Sequence, residues 1–294
     1  MNLNKSKLCL VVIFYYPEEI HIKNVISLSA SYDVIVVDNT PSPSKYNFDS
    51  KITLITLNDN VGIAKALNIG IQNAKEQSYQ YCLLLDQDSD PKDELIDGLV
   101  SFYEYQNSNI DIALVAPCYH DKALRLDSVF IQKNKFLMGK TPAIGNSAID
   151  ASYVITSGSL LNLAVYNSIG PMNEDLFIDF VDIEWCLRAH SKGYKVLGLP
   201  WLKMEHEIGD KPVKFLGKEY VNHSPIRHYY YFRNIFMLLR MSHIPYQWKV
   251  SELFKVLPRF IVYATSTKNN FAHINHMSKG IYHGLIGNFG KFKL

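Results

Sequence analysis

The sequence predicts an α/β fold with a mostly parallel sheet. Short apolar runs alternate with helical patterns three or four times before residue 116, as expected of right-handed βαβ units. Continuous apolar runs of this kind are typical of strands that are buried on both faces. Three of the strands end in polar residues, which favours a ligand crevice at one edge of the sheet. These polar ends are Tyr15-Tyr16, Asp38-Asn39 and Asp86-Gln87-Asp88.

The first half of the chain supplies the strand and helix pairs of this sheet. Apolar residues at helical spacing, among them Ile63, Leu67 and Ile71, indicate the second helix. Asp90 followed by Pro91 is typical of a helix N-cap with proline at the first helical position. The predicted strands cover residues 8–14, 33–38, 52–57, 81–86 and 112–116, and the predicted helices cover residues 18–30, 60–75 and 91–105.

The second half of the chain is less regular. Residues 119–150 are polar and irregular, so we expect them to cover the sheet edge, and residues 209–225 have few apolar anchors and suit a mobile lid. Further strands are predicted at 149–157 and 194–199, and helices at 179–190, 227–240, 246–263 (bent near Pro258) and 276–285. We therefore divide the chain into a sheet domain, residues 1–225, and a C-terminal helical region, residues 226–294.

The composition excludes several classes of protein. The chain has 294 residues and 48% apolar content, which suits one large domain or a domain with an appendage. Its net charge of +2 is too small to indicate nucleic-acid binding. The four cysteines are far apart and form no Cys-x-x-Cys pair, so they are interpreted as reduced core thiols of a cytosolic protein. The apolar run 8–16 is interpreted as a buried strand rather than a signal peptide, and no stretch reaches the ~18 apolar residues that span a bilayer.

The stretch Asp86-Gln87-Asp88 is the strongest candidate for a metal site. Its two carboxylates follow a buried strand and lie two residues apart, so both can reach one hard cation if the chain turns there. Mg²⁺ and Mn²⁺ prefer oxygen ligands and commonly link a few carboxylates to the phosphates of a substrate. The alternative is an acidic loop before a helix, which accounts for Asp90 but leaves Asp86 and Asp88 unexplained.

Two common nucleotide-binding motifs are missing from the sequence. No G-x-G-x-x-G follows the first strand, and no G-x-x-x-x-G-K-[ST] occurs in the chain. Their absence disfavours a dinucleotide dehydrogenase and a P-loop NTPase. A nucleotidyltransferase would need a basic, Gly-rich loop after the first strand, and Tyr15-Tyr16-Pro17-Glu18 does not provide one.

A second acidic cluster begins the helix predicted at 179–190. Asp179 and Asp182 either favour the helix dipole or place a general base in the crevice. Glu184 and Arg188 have the i,i+4 spacing of a surface ion pair. Further along, His206 follows a short strand and suits a ligand or phosphate contact. Arg227 and Arg233 could clamp a diphosphate or could be surface residues of an aromatic helix.

The C-terminal region is aromatic and basic. Lysines and arginines alternate there with Trp248, Phe254, Phe260 and Tyr263. One interpretation is a helical appendage that packs on the sheet domain. The other is a peripheral surface that brings an enzyme to a membrane carrying a lipid-linked acceptor.

Together, these motifs resemble an inverting family 2 glycosyltransferase with the GT-A fold, in its bacterial rhamnosyltransferase-like branch. The resemblance covers nearly the whole chain, and its strength lies in the order and spacing of motifs that are weak individually. The matching motifs are Val37-Asp38-Asn39, Asn60-x-Gly62-Ile-Ala-x-Ala-x-Asn68-x-Gly70, Leu85-Asp86-Gln87-Asp88-Ser89, Phe177-Ile-Asp-x-Val-Asp182-Ile-Glu184-Trp185-Cys-Leu-Arg188, His206-x-x-Gly209, Tyr230-x-x-Arg233-Asn234 and Gly280-Ile-Tyr-His-Gly284.

The resemblance implies a role for each of several residues. Asp182 matches the catalytic base, although Val181 stands where the family commonly has a second acidic residue, which makes Asp179 a rival. Asp88 would be the main ligand of Mg²⁺ or Mn²⁺, with Asp86 and His206 as further ligands. The nucleotide-sugar donor would be contacted by Tyr15, Asp38, Asn60, Asp86 and, at its diphosphate, Arg233.

The function implied is metal-dependent transfer of a sugar with inversion in the synthesis of a cell-surface glycan. The branch points to L-rhamnose from dTDP-L-rhamnose as donor, and to a polysaccharide or lipid-linked oligosaccharide as acceptor. A UDP-sugar donor and a catalytically silent glycan- or nucleotide-binding subunit are the alternatives. Such an enzyme is expected in the cytoplasm, at the inner face of the cell membrane, with a homodimer as one arrangement and without a nucleic-acid partner.

Overall fold

The computed structural model describes residues 7–106, 111–121, 126–205 and 210–293. It confirms the mixed α/β class, with one large sheet and two small hairpins. The strands of the large sheet are β1 (Leu8–Phe14), β2 (Asp33–Asp38), β3 (Ile52–Thr56), β4 (Tyr81–Asp86), β5 (Ile112–Asp121), β6 (Leu126–Asp127), β9 (Ile149–Asp150), β10 (Ser159–Asn162) and β11 (Lys195–Glu205). The hairpins are β7 (Val129–Lys133) with β8 (Met138–Pro142), and β12 (Asp210–Phe215) with β13 (Lys218–Asn222).

Helices cover both faces of the large sheet and form the end of the chain. The helices are α1 (Glu19–Ser29), α2 (Ile63–Glu76), α3 (Asp93–Tyr105), α4 (Leu163–Ile169), α5 (Val181–Ser191), α6 (Pro225–Arg240), α7 (Tyr246–Ser266) and α8 (Asn270–Ile286). Among these described helices, none is both long and apolar enough to cross a membrane.

The order of strands brings the predicted polar strand ends to one edge. The sheet runs β3-β2-β1-β4-β10-β5-β11-β9, and β3, β2, β1 and β4 are parallel neighbours. The antiparallel strand β10 lies between β4 and β5, and β5 is parallel to β11. Because Phe14 pairs with Asp38 and Ile13 pairs with Asp86, the carboxyl ends of β1, β2 and β4 meet at the same edge.

The core consists of two layers, one on each side of the sheet. Alternate residues of β1 face opposite layers, as expected of a strand that is buried on both faces. Val11 and Ile13 pack in the layer of α2 and α5, whereas Leu10 and Phe14 pack in the layer of α1 and α3. Every residue of β1 is buried, which explains why its sequence is continuously apolar.

The C-terminal helices are packed onto the sheet domain. Ile235 and Leu238 of α6 are fully buried in the same layer as α2 and α5, together with Trp248 of α7. Helix α8 lies along α6, where Gly280 and Gly284 allow close contact between the two helix backbones. This close packing means that α6 continues the core of the sheet domain, although the division at residue 225 itself stays a prediction.

Several predicted boundaries are wrong in detail. Residues 149–157 do not form one strand, since only Ile149–Asp150 pair in β9 and the next strand, β10, begins at Ser159. Asp90 is not a helix cap, because α3 begins at Asp93 and the Asp90 carboxylate pairs instead with Lys92 at 2.6 Å. The described part of the predicted lid at 209–225 contains the hairpin of β12 and β13.

Candidate active site

A cavity of about 780 Å³ opens at the carboxyl ends of β1 and β4. Its first wall comes from this sheet edge and from the start of α2, and it carries the side chains of Tyr15, Asn39, Asn60, Asp86 and Asp88. Its second wall comes from the segment that leads into α5 and from the start of α6, and it carries Asp179, Asp182 and Arg227. Of the predicted site residues, the structure therefore brings Tyr15, Asn60, Asp86, Asp88, Asp179 and Asp182 into one cavity.

A network of amides shapes the floor of the first wall. The side-chain oxygen of Asn60 accepts hydrogen bonds from Nδ2 of Asn39 at 3.2 Å and from the Gly62 amide at 3.1 Å. The Asn39 oxygen accepts from the amide of Val61 at 2.8 Å. Gly62 has φ +88°, and a Cβ there would lie 2.7 Å from the carbonyl oxygen of Phe177, so the position requires glycine.

Asp38 does not face the cavity. It pairs with Phe14, and both side chains therefore point to the layer of α1 and α3, whereas the cavity lies on the side of Ile13. Asp38 is fully buried, and its oxygens accept hydrogen bonds from the Thr40 amide at 2.9 Å and the Tyr46 hydroxyl at 2.7 Å. Asp38, predicted to contact the nucleotide, therefore does not line the cavity, whereas its neighbour Asn39 does.

The acidic end of β4 presents two exposed carboxylates to the cavity. Asp86 is the last residue of the strand, and Asp88 follows in the turn that is closed by the hydrogen bond from the Ser89 amide to the Asp86 carbonyl at 3.1 Å. Two carboxylates at an open site suit a hard divalent cation that completes its shell with water and phosphate oxygens. The third predicted ligand, His206, lies outside the described residues, and within those residues no cluster of three or more His, Cys, Asp or Glu side chains forms a metal site.

The second wall contains an unusual backbone segment. Phe177, Asp179 and Phe180 have positive φ angles of 64°, 64° and 66°. The helix consequently begins at Val181 rather than at residue 179, and Asp179 belongs to the turn before it. Asp182 follows in the first helical turn, and its Oδ1 accepts the Ile183 amide at 2.8 Å.

The surroundings of Asp182 raise the pKa of its carboxyl group. Burial raises its pKa to about 6, with a further contribution from the nearby negative charges of Asp179 and Asp86. The pKa of Asp179 is also raised by burial, but Arg227 opposes that shift. Nε of Arg227 lies 3.1 Å from Oδ1 of Asp179, so the rival carboxylate is paired with a cation.

Arg233 lies away from the cavity. It is completely buried, and its guanidinium donates to the carbonyl oxygens of Asp175, Leu176 and Gly290 and to the side-chain oxygen of Asn234. A group engaged in this way inside the protein is not placed to hold a diphosphate. Arg233, predicted to contact the diphosphate of the donor, therefore does not line the cavity.

Arg227, the other arginine proposed from the sequence for a diphosphate clamp, does line the cavity. It stands at the start of α6, faces the cavity, and keeps 42% of its side chain exposed. Its sequence signal is the same as that of Arg233, an arginine in an aromatic helix, so spacing alone could not separate the two. His21 and Gln87 also line the cavity and were missed; Gln87 Oε1 accepts a hydrogen bond from the Tyr15 amide at 2.8 Å.

The ion pair of Glu184 and Arg188 exists but is not a surface pair. Glu184 is 1% exposed, and its Oε1 lies 2.9 Å from Nε of Arg188 and 2.7 Å from Nε2 of His243. The pair joins α5 to the loop after α6, so its role is structural.

Comparison with known proteins gives a consistent picture. The family model described as Glycosyl transferase family 2 matches residues 11–159. The dTDP-rhamnosyl transferase RfbF of Shigella flexneri is 35% identical over 293 residues, an alignment that covers 96% of this chain and 95% of that protein.

Solved structures share the fold at low sequence identity. A crystal structure of GalNAc-T7 with UDP, GalNAc and Mn²⁺ has a TM-score of 0.56 and 13% identity; the match covers 96% of this chain but 56% of that one. A crystal structure of residues 1–349 of S. aureus TarS in complex with UDP-GlcNAc has a TM-score of 0.52 and 12% identity, covering 98% and 94% of the two chains. The chain thus spans about half the length of the GalNAc-T7 structure and nearly all of the TarS fragment.

Proposed function

This chain belongs to glycosyl transferase family 2, and from that premise we propose that it transfers L-rhamnose from dTDP-L-rhamnose to a hydroxyl group of a polysaccharide or lipid-linked oligosaccharide. The observation that carries the proposal is the placement of Asp182, a carboxylate with a pKa raised to about 6, across one cavity from Asp86 and Asp88. The identity of the donor rests on the named relative, and a panel of donors tests it.

Asp182 acts as the base in a single displacement. Its carboxylate takes the proton of the acceptor hydroxyl, and the acceptor oxygen bonds to the anomeric carbon of the sugar. The bond from that carbon to the phosphate oxygen breaks on the opposite face, so the anomeric configuration inverts and dTDP leaves. A base with a pKa near 6 is mostly ionised at neutral pH and still basic enough to assist proton removal. One carboxylate suffices for this step, since no covalent sugar–enzyme intermediate is formed.

Asp88, with Asp86 beside it, would hold Mg²⁺ or Mn²⁺. A cation bound there supplies positive charge to the diphosphate as it leaves. His206 remains a predicted further ligand. Both carboxylates lie on the sheet edge beside Asn39, Asn60 and Tyr15, which we assign to the nucleotide.

Arg227 takes the diphosphate role in this proposal. Its Nε is held by Asp179, and the rest of its exposed guanidinium faces the cavity. An arginine anchored through one nitrogen keeps other donors for phosphate oxygens. Asp179 then serves to orient Arg227 and to shield it electrostatically until the donor arrives.

The C-terminal helices are proposed to rest on an anionic membrane at the cytoplasmic face. On α7, the outward side chains Phe254, Leu257 and Ile261 are 74%, 66% and 44% exposed, whereas an ordinary surface helix is polar on that side. Residues 246–293 contain seven lysines and arginines but one acidic residue, Glu252, which is buried. Apolar side chains with surrounding positive charge fit the surface of anionic lipid, where a lipid-linked acceptor would be found.

A donor panel tests the proposed function. The purified chain is incubated with dTDP-rhamnose, UDP-glucose, UDP-GlcNAc or GDP-mannose and Mn²⁺, and release of the nucleoside diphosphate is measured with Asp182→Asn as control. We expect metal-dependent turnover of dTDP-rhamnose that the variant lacks. Turnover of a UDP-sugar alone would replace the donor assignment, and no turnover of any donor, with or without oligosaccharide acceptors, would contradict the enzyme proposal.

A further inference from the structure

Two adjacent side chains of α6 hold the segment 175–180, which leads into α5. Nη2 of Arg233 donates two hydrogen bonds to backbone carbonyls of the segment, and the two N–H groups of Asn234 Nδ2 are shared among three carbonyl oxygens. The acceptors are the carbonyl oxygens of Asp175 (2.8 Å), Leu176 (2.9 Å to each side chain), Ile178 (2.8 Å) and Asp179 (3.0 Å). Both side chains are fully buried, so these bonds are shielded from water.

The segment 175–180 has backbone angles that are unfavourable without the contacts around it. Three of its residues, Phe177, Asp179 and Phe180, have positive φ angles, and none of them is glycine. Such angles cost on the order of 1–3 kcal/mol each, and they persist only where the surroundings impose them. Phe177 is further fixed by its carbonyl, which accepts the Ile63 amide at 2.8 Å.

Stacking reinforces the hydrogen bonds. The rings of Phe177 and Tyr230 are stacked with centroids 4.8 Å apart, and the Arg233 guanidinium lies 4.8 Å from the Tyr230 centroid on α6. Nε of Arg233 also donates to Oδ1 of Asn234 at 2.9 Å, which orients the amide so that its NH₂ group faces the carbonyls. The two residues therefore act as one unit.

We propose that Arg233 and Asn234 are positioning residues for the catalytic carboxylate. The segment contains Asp179 and ends two residues before Asp182, so its backbone angles decide where both carboxylates point. Because burial is the main cause of the raised pKa of Asp182, the same conformation also sets its basicity. This inference rests on the proposed function for the role of Asp182, but the geometry of the segment is independent of it.

The test compares Arg233→Lys and Asn234→Asp with a matched control, Arg188→Lys. Arg188 is also largely buried and also donates to two backbone carbonyls, those of Ile169 (2.9 Å) and Pro171 (2.7 Å), but it lies outside the cavity. Three quantities are measured below the melting temperature. They are the Kd of dTDP in the presence of Mn²⁺ by calorimetry, kcat, and the pH at which kcat/KM falls to half its maximum on the acid side (the acid limb).

For Arg233→Lys and Asn234→Asp, we expect a Kd within about twofold of the original and a kcat at least about tenfold lower. The acid limb should move to lower pH, because a relaxed segment exposes Asp182 to water. Arg188→Lys should keep both kcat and the acid limb even if it melts earlier. Unchanged kcat and pH profile in the α6 variants would overturn the inference, as would a loss of dTDP affinity as large as the loss of kcat/KM.

A measurement on the unaltered chain covers the case in which the variants do not fold. The Phe177 and Ile178 amides, which donate to the carbonyls of Glu174 (3.0 Å) and Leu176 (2.8 Å), should exchange hydrogen for deuterium as slowly as amides of β1. Fast exchange there would contradict an imposed conformation. Since exchange needs no substrate, this result stands even if no donor is turned over, in which case the proposed function alone fails.

Discussion

Nε of Arg227 lies 3.1 Å from Oδ1 of Asp179, and this contact distinguishes the surroundings of two neighbouring acids. The other oxygen of Asp179 is buried without a hydrogen-bond partner among the described residues. Asp182, three residues later, shares the cavity and has a pKa raised to about 6. A neighbouring arginine stabilises the ionised carboxylate of Asp179 and so makes it a weaker proton acceptor, which favours Asp182 as the proposed base.

Replacement of each acid in turn tests this division. We expect Asp182→Asn to lower kcat by about 10²–10⁴-fold, the usual contribution of a general base, with little change in donor binding. Asp179→Asn should instead mainly raise the KM for the donor, because Arg227 loses its anchor. Steady-state kinetics with varied donor measure both effects. A larger loss of kcat in Asp179→Asn than in Asp182→Asn would make Asp179 the base.

The raised pKa of Asp182 predicts a pH-dependent effect on stability. The folded state binds this proton more tightly than the unfolded chain, so the favourable contribution is full below about pH 4 and is lost as pH rises through about 6. A rise of the pKa from 3.8 to about 6 corresponds to about 3 kcal/mol, which is an upper bound on this contribution to the free energy of unfolding.

Asn at position 182 avoids the cost of burying a charge. Asp182→Asn should therefore melt at a higher temperature than the original chain at pH 8, and the difference should shrink towards pH 4. Scanning calorimetry at several pH values measures it. If the melting temperatures of Asp182→Asn and the original chain differ by the same amount at every pH, the account of a buried carboxylate is contradicted.

The sequence was sufficient to predict the fold class and the edge of the sheet at which the cavity opens. The continuous apolar runs predicted β1, β2 and β4 nearly to the residue, because strands buried on both faces have few alternatives. A turn after Asp86 was, from the sequence, only a condition for metal binding, and the hydrogen bond from the Ser89 amide to the Asp86 carbonyl provides that turn.

The sequence did not reveal the direction of single side chains. Asp38 and Asn39 are adjacent polar residues at a strand end, and only the register of β2 with β1 shows that Asp38 points into the layer of Phe14. Arg227 and Arg233 lie six residues apart on α6, and burial against the segment 175–180, which is distant in sequence, distinguishes them. Such long-range packing is not encoded in local spacing.

The metal proposal predicts a specific loss in Asp88→Asn. We expect the Kd of dTDP to fall when Mn²⁺ is added to the original chain, and this gain to be reduced at least about tenfold in the variant, because a carboxylate ligand is lost. Asp90→Asn is the matched control, since Asp90 is exposed two residues later and pairs with Lys92. Calorimetric titration with and without Mn²⁺ measures the effect. If Mn²⁺ lowers the Kd of dTDP by the same factor in Asp88→Asn and in Asp90→Asn, Asp88 is not a ligand of the metal.

The packing of α8 on α6 predicts that Gly284 cannot be replaced by alanine. An added Cβ would lie 2.7 Å from the carbonyl oxygen of Arg233 and 2.8 Å from Cβ of Phe236, so the two helices would have to separate. Such overpacking costs about 1–3 kcal/mol, which exceeds the gain of about 1 kcal/mol in helix propensity. Ser278→Ala, at an exposed position of α8, is the control and should be neutral or stabilising. Urea denaturation distinguishes the two, and equal stabilities would contradict the close packing.

The exposed apolar side of α7 predicts binding to lipid. Phe254, Leu257 and Ile261 recur at helical spacing on the outward side, and each side chain that leaves water for lipid stabilises binding by up to about 1.5–3 kcal/mol. A variant with serine at all three positions should therefore bind vesicles of phosphatidylglycerol and phosphatidylethanolamine at least about tenfold more weakly in a sedimentation assay. The control replaces Ile20, Ile26 and Tyr105 by serine, which are 55%, 45% and 85% exposed on α1 and α3, the helices on the opposite side of the sheet.

Salt separates the electrostatic and the apolar contributions to vesicle binding. The lysines and arginines of residues 246–293 attract anionic lipid, and salt screens this attraction. Between 0.05 and 0.5 M NaCl the Debye length falls from ~14 to ~4 Å, so the electrostatic part of the affinity should be lost and the apolar part should persist.

A second copy of the chain is the alternative occupant of the apolar side of α7. A chain that ignores vesicles but forms a dimer, which the triple-serine variant dissociates in analytical ultracentrifugation, would assign α7 to a homodimer interface. Vesicle binding by a monomer that the triple-serine variant lacks is the outcome expected if α7 carries the enzyme to its acceptor.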